Sequence, residues 1–148
     1  MHDLPSSSVR PIIAWSDILL VGHEQIDADH RHIFEIADQL RAGMREPGAD
    51  RLVRVVLAEL ADYTITHFAR EEALMEASRF AGLQDHRFEH ELICYRLRNL
   101  QHQCGSGHAG LAEELEIFLD RWLARHILTS DAQAAIALRE AHARSSDV

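Results

Sequence analysis

The chain has 148 residues, 47% of them hydrophobic, and a formal net charge of −9 with its histidines neutral. That length suits one domain over 1–148, able to bury roughly 68–70% of its unfolded surface, while the acidic balance argues against nucleic acid or an anionic membrane, since both need a basic face. No apolar run approaches the ~20 residues of a membrane span, and the start, M-H-D-L-P-S-S-S-V-R-P, lacks a secretory hydrophobic stretch, so a cytoplasmic protein is expected.

Residues 1–22 read as an arm carrying Pro5, Pro11 and the segment W-S-D-I-L-L-V-G. A first helix is expected from about Ile26 to Met44, with His30, Ile33, Phe34, Ala37, Leu40 and Met44 on one face. R-E-P-G-A-D at 45–50 ends it, and Asp50 is placed to cap the next helix. There Val53, Val56, Leu57, Leu60, Thr64, His67, Phe68, Glu71, Leu74 and Met75 recur at three- and four-residue steps. Arg51, Arg54, Glu59 and Asp62 form its solvated face.

Gly82 is expected to break the chain and Asp85 to cap a third helix carrying His86, His90, Ile93, Cys94 and Leu97. Cys94 and Cys104 lie ten apart in that helix, about 15 Å along its axis, too far for a disulfide. Two thiols without a disulfide framework fit a reducing compartment. G-S-G-H-A-G at 105–110 is a loop, followed by a fourth helix with Leu111, Leu115, Phe118, Leu119, Trp122, Leu123, His126 and Ile127. A short terminal helix, about 131–144, is expected to begin at Asp131 with Ser130 as its cap. Nothing reads as a strand. The fold class is all-α: an antiparallel up-down four-helix bundle (core about 23–128) with an N-terminal arm and a short C-terminal helix, expected to be monomeric.

Seven residues stand out against this frame: His30, His67, Glu71, His86, His90, His126 and Asp131. His67 and Glu71 are four apart, as are His86 and His90, and residues four apart share a helix face. His126 precedes Asp131 by five. Any single inward histidine is more often a core residue bonded to backbone than a ligand; the paired spacings reverse those odds. Burying five imidazoles and two carboxylates without partners would be very costly, and a pair of divalent transition metals such as iron, manganese or zinc removes that cost. Two carboxylates can bridge such a pair while the histidines bind terminally. His2, His23, His32, His102, His108 and His142 fall outside the set; His32 faces away from His30, and His23 has a route to the site from the arm.

In these elements the chain resembles the hemerythrin family, and its prokaryotic members more closely. The pattern runs from Trp15 to Gly22, through I-D-x-x-H at 26–30, H-F-x-x-E-E at 67–72 and H-x-x-x-H at 86–90, to W-L-x-x-H-I-x-x-x-D at 122–131. The resemblance implies a non-haem di-iron site with a bridging oxo or hydroxo group that binds O2 reversibly. It implies that His86, His90 and His126 hold one iron, that His30 and His67 hold the other with a position open for O2, and that Glu71 and Asp131 bridge. Phe34, Phe68, Trp122, Leu123 and Ile127 adjoin these ligands by helical spacing and are expected to line a dry ligand pocket. The chain departs from the family at two single residues and one pair. Asp29 stands where glutamine is common, about a quarter-turn off the ligand face, with little effect expected on metal binding. Phe80 and Ala81 replace an aromatic–proline pair, and His23 replaces an aliphatic residue.

The function expected is oxygen carriage, storage or delivery rather than catalysis. The two other readings are a peroxidase- or oxidase-type di-iron enzyme and a sensor of O2, NO, peroxide or redox state. The enzyme reading is disfavoured because no Glu-x-x-His motif of carboxylate-rich oxidases occurs in the chain. The sensor reading gains if Asp131 couples the metals to the terminal helix.

Overall fold

Helix α1 (Glu24–Met44) begins two residues before its expected start because the chain supplies a cap there: the Nδ1 of His23 accepts the Ile26 N–H at 3.4 Å. His23 is thereby committed to the helix end and is not among the buried His, Glu and Asp side chains that could hold a metal. The computed structural model describes residues 16–48, 50–105 and 110–146; Pro5, Pro11 and Trp15 of the arm, and most of the glycine-rich loop, lie outside them. The described part of the arm makes one 3-10 turn, Asp17–Leu19, and sinks Leu19 and Val21 into the core. It is pinned on both sides. The Asp27 carboxylate accepts the N–H groups of Val21 and Gly22 at 2.8 and 3.2 Å, and Arg139 donates to the Val21 carbonyl at 2.5 Å.

Helix α2 (Asp50–Ala77) takes Asp50 as its first residue rather than as its cap. It ends without help from Gly82. The Phe80 N–H bonds the Met75 carbonyl and the Arg79 N–H bonds that of Glu76, at 3.0 and 3.1 Å, while Arg79 takes a left-handed φ of 54°. This is a Schellman closure with arginine where glycine is usual, so no sequence cue marked it. Helix α3 (Leu83–Gly105) follows at once, with Asp85 inside its first turn and both unbonded cysteines along its length.

The last helical run is continuous. Helix α4 (Leu111–Ile117) passes through two π-helical segments, Phe118–Ala124 and Ile127–Asp131, into α5 (Ala132–Ser146), with Phe118, Arg125, His126 and Ala132 all in right-handed helical torsions. The expected break at Ser130 is absent; the Ser130 hydroxyl instead donates to the Glu89 carboxylate at 2.5 Å.

Successive helices pack on one another, α1 on α2, α2 on α3 and α3 on α4. Arg41, near the end of α1, pairs with Glu116 of α4 at 2.7 Å, while His30, near the start of α1, lies 3.1 Å from Asp131 beyond α4. The two helices therefore run antiparallel and close a four-helix bundle. Its interior is filled by Ile33, Phe34, Leu40, Leu57, Leu60, Ile93, Leu97, Leu115 and Leu119, each contributing roughly 1.5–3 kcal/mol by burial. Among the described residues there is no strand, and no helix is long and apolar enough to cross a membrane.

Candidate metal centre

One level of the bundle is polar. His30 of α1, His67 and Glu71 of α2, His86 and His90 of α3, and His126 and Asp131 of the last run are all buried there. The four-residue pairs on α2 and α3 reach the centre by ordinary α-helical stacking. The His126–Asp131 pair cannot, since five residues of α-helix turn the second side chain about 140° away from the first. The π segment over Ile127–Asp131 resolves this, because its i→i+5 bonding brings the fifth residue back over the turn below.

The seven groups divide into two sets that share both carboxylates: His86, His90 and His126 with Glu71 and Asp131, and His30 and His67 with the same two acids. Each carboxylate splits its oxygens between the sets. Glu71 Oε1 lies 2.6 and 3.1 Å from the Nε2 atoms of His86 and His90, and its Oε2 lies 3.1 Å from that of His67. Asp131 Oδ1 lies 3.0 Å from the Nε2 atoms of His86 and His126, and its Oδ2 lies 3.1 Å from that of His30. All five rings thus present Nε2 inward.

These contacts test whether a metal pair suits the residues. Neighbouring ligands around an ion at 2.0–2.2 Å sit about 3 Å apart, which is the separation found in the contacts above, with His30 Nε2 wider at 3.9 Å from Glu71 Oε2. Hydrogen bonds alone do not account for it. The inward atoms of His30, His67 and His126, Glu71 Oε2 and both oxygens of Asp131 are buried without a correctly oriented partner, an arrangement rare unless an ion supplies the missing contact. The donor set, imidazole with carboxylate, suits iron, manganese or zinc. The residues fit the pair.

A family model described as Hemerythrin HHE cation binding domain matches residues 21–135. The chain belongs to the hemerythrin family. It is 33% identical over 127 residues to a bacteriohemerythrin of Pseudomonas aeruginosa, covering 86% of this chain and 82% of that protein. It is 27% identical over 117 residues to myohemerythrin-1 of Phascolopsis gouldii, covering 79% and 87%. The crystal structure of a hemerythrin mutant superposes with a TM-score of 0.76 over 86% of this chain and 97% of that one, at 23% identity, a likeness of fold.

Around the hemerythrin cluster lies a layer of acids. Asp29 Oδ2 is 2.8 Å from His67 Nδ1, Glu72 Oε1 is 3.0 Å from His90 Nδ1, and Glu89 Oε2 is 2.7 Å from His126 Nδ1. A carboxylate only accepts, so each fixes its ring's proton on Nδ1 and leaves Nε2 free to face the centre. Asp29, off the ligand face of α1, is nevertheless engaged with the cluster: it is 2% exposed and, besides facing His67, takes hydrogen bonds from Gln25, Tyr63 and Arg70. The quarter-turn that carries it off the ligand face delivers it to α2. Burial works to raise its pKa, but His67, Arg70 and Tyr63 hold it well below the usual carboxylate range. A signal existed for all three acids: each is adjacent in sequence to a cluster residue, and an imidazole that ligates through one nitrogen commonly gives its other N–H to a carboxylate.

The five expected pocket residues are distributed unevenly. Phe34, Phe68, Leu123 and Ile127 are buried in the core. Phe68 stacks on His90, ring centroids 3.8 Å apart and planes 7° from parallel. Trp122 is only partly buried and lies under the Arg96 guanidinium at 4.5 Å. It lines a cleft of about 200 Å3 on the outer side of His126, together with Glu89 and Leu92. His32, as expected, is turned outward, pairing with Glu35 and resting edge-on against Tyr63.

Proposed function

We propose that the chain holds two iron ions and binds dioxygen reversibly, as a cytoplasmic oxygen carrier, store or delivery protein and not as an enzyme. What carries the reading is the uneven division of the cluster, five protein ligands on one side and four on the other, with both acids common to the two. His86, His90 and His126 would hold one ion, His30 and His67 the other, and Glu71 and Asp131 both. An iron pair supplies two electrons that a bound dioxygen can borrow and return.

The chain's own residues do the rest. The outer acids orient the histidines, and the shared carboxylates set the spacing between the two sets. Two acids, formally −2, offset half the charge of two divalent ions and keep the net charge of the buried site low. Phe34, Phe68, Leu123 and Ile127, all buried, belong to the apolar core that would keep water from the bound ligand, where stray protons would end reversibility. The relatives named bacteriohemerythrin and myohemerythrin support this assignment of chemistry.

The test is metal analysis followed by spectroscopy. Two iron ions per chain are expected, with a visible absorption band that appears when anaerobically reduced protein meets air and fades under argon. A chain without the iron pair, or a spectrum indifferent to oxygen, overturns the proposal. One observation favours sensing as the second reading: Asp131 ends a π segment that continues unbroken into α5. A change in α5 amide exchange on oxygenation would speak for it.

A further inference from the structure

Asp29 is the most heavily bonded carboxylate around the cluster. Its Oδ2 faces His67 Nδ1 at 2.8 Å, while its Oδ1 accepts from Tyr63 and Gln25 at 3.0 Å each and from Arg70. Four donors thus converge on one carboxylate, three of them sharing Oδ1 and His67 alone on Oδ2. The other two outer acids are wetter, with Glu72 and Glu89 side chains 25% and 44% exposed against 3% for Asp29. His30, the partner of His67 in the four-ligand set, has no hydrogen-bond partner on Nδ1. One histidine of that set therefore carries a buried, charged partner and the other carries none.

We infer that Asp29 is a positioning residue that makes His67 the stronger donor of the two-histidine side and so sets the reduction potential of the metal held there. The inference rests on the reading that the cluster holds a redox-active pair. A full negative charge on the Nδ1–H of an imidazole pushes electron density toward Nε2 and favours the more oxidised ion. At Glu72 and Glu89 solvent screens the same effect; at Asp29 little solvent intervenes. Tyr63 and Arg70 act as the restraint. Each draws on the same carboxylate and reduces what His67 receives, so the tetrad of Gln25, Asp29, Tyr63 and Arg70 grades the push rather than maximising it.

The experiment is a redox titration of the iron-loaded full chain, with metal stoichiometry and thermal midpoint measured on each variant. Asp29→Asn keeps the shape and removes the charge. Its midpoint potential is expected to rise, by more than that of Glu72→Gln, and its iron to pass to a chelator about 10- to 100-fold faster. Tyr63→Phe removes one competing donor from a half-buried position and is expected to lower the potential. It also serves if Asp29→Asn fails to load. A merely structural Asp29 would lower the thermal midpoint and leave the potential of the loaded protein where it was. Unchanged potentials in the loaded variants overturn the inference alone, whereas a wild-type chain that takes up no iron pair removes it together with the reading beneath it.

Discussion

Glu71 and His30 are both buried members of the cluster, but they are not equivalent. Glu71 sends an oxygen to each set, whereas His30 belongs to one. Glu71→Gln replaces a bridging anion by a neutral amide and is expected to drop metal content from two ions per chain to below one. His30→Ala is expected to leave about one. Elemental analysis separates them, and two retained ions in Glu71→Gln would contradict the bridging role. Thr64, one turn before His67 on the same buried stripe, poses the opposite case: its hydroxyl is fully buried with no hydrogen-bond partner. Such a group carries a desolvation cost of about 1–3 kcal/mol. Thr64→Val keeps the shape and removes that cost, so a stabilisation of this size is expected as a higher denaturant midpoint at unchanged slope.

The five-residue gap between His126 and Asp131 shows how far periodicity carries and where it stops. Helical stripes identified α1, α2, α3 and α4 and placed the five histidines and Glu71 inward, because apolar and ligating positions share one period. The gap of five broke that period, and a new helix at Asp131 was the natural inference. A π segment was the physical answer, and it has no pattern of its own to read. Arg79 escaped for a similar reason, since the left-handed turn it makes is usually advertised by glycine. The role of Asp29 is not legible in the periodicity of α1, because its partner His67 arrives from α2. Register can be tested directly. Deleting exposed Leu128 leaves His126 and the aspartate four apart, on one face of a regular α-helix, so the metal pair should survive. Inserting an alanine after Leu128 makes the gap six, and loss of the pair is expected. Equal metal content in both would mean that the π segment does not place the aspartate.

A protein of net charge −9 that gathers five histidines around two buried acids has its pH response written by that cluster. Stripped of metal, burial pulls His67 and His86 down, but the carboxylates of Asp29 and Glu71 facing the former and of Asp131 and Glu71 facing the latter push both up to about 9 from 6.5. A raised pKa in the fold means stability that is complete below 6.5 and lost as pH climbs through about 9. Burial and Asp131 work to raise Glu71, yet His67, His86 and His90 bring it down to about 2 from 4.5. Its contribution is complete above 4.5 and lost as pH falls toward 2. The stripped protein should therefore be most stable between about pH 4.5 and 6.5 and soften toward pH 9. Metal inverts the alkaline limb. Ions need Nε2 unprotonated, so protons compete for the same atoms and affinity grows with pH; tighter binding adds stability to the fold with the logarithm of the free metal concentration over its dissociation constant. Melting curves at pH 6 and pH 9 should show the midpoint of chelator-treated protein falling while its gap to the loaded protein widens. A gap that stays constant across that interval would show that protons and metal do not share these seven side chains.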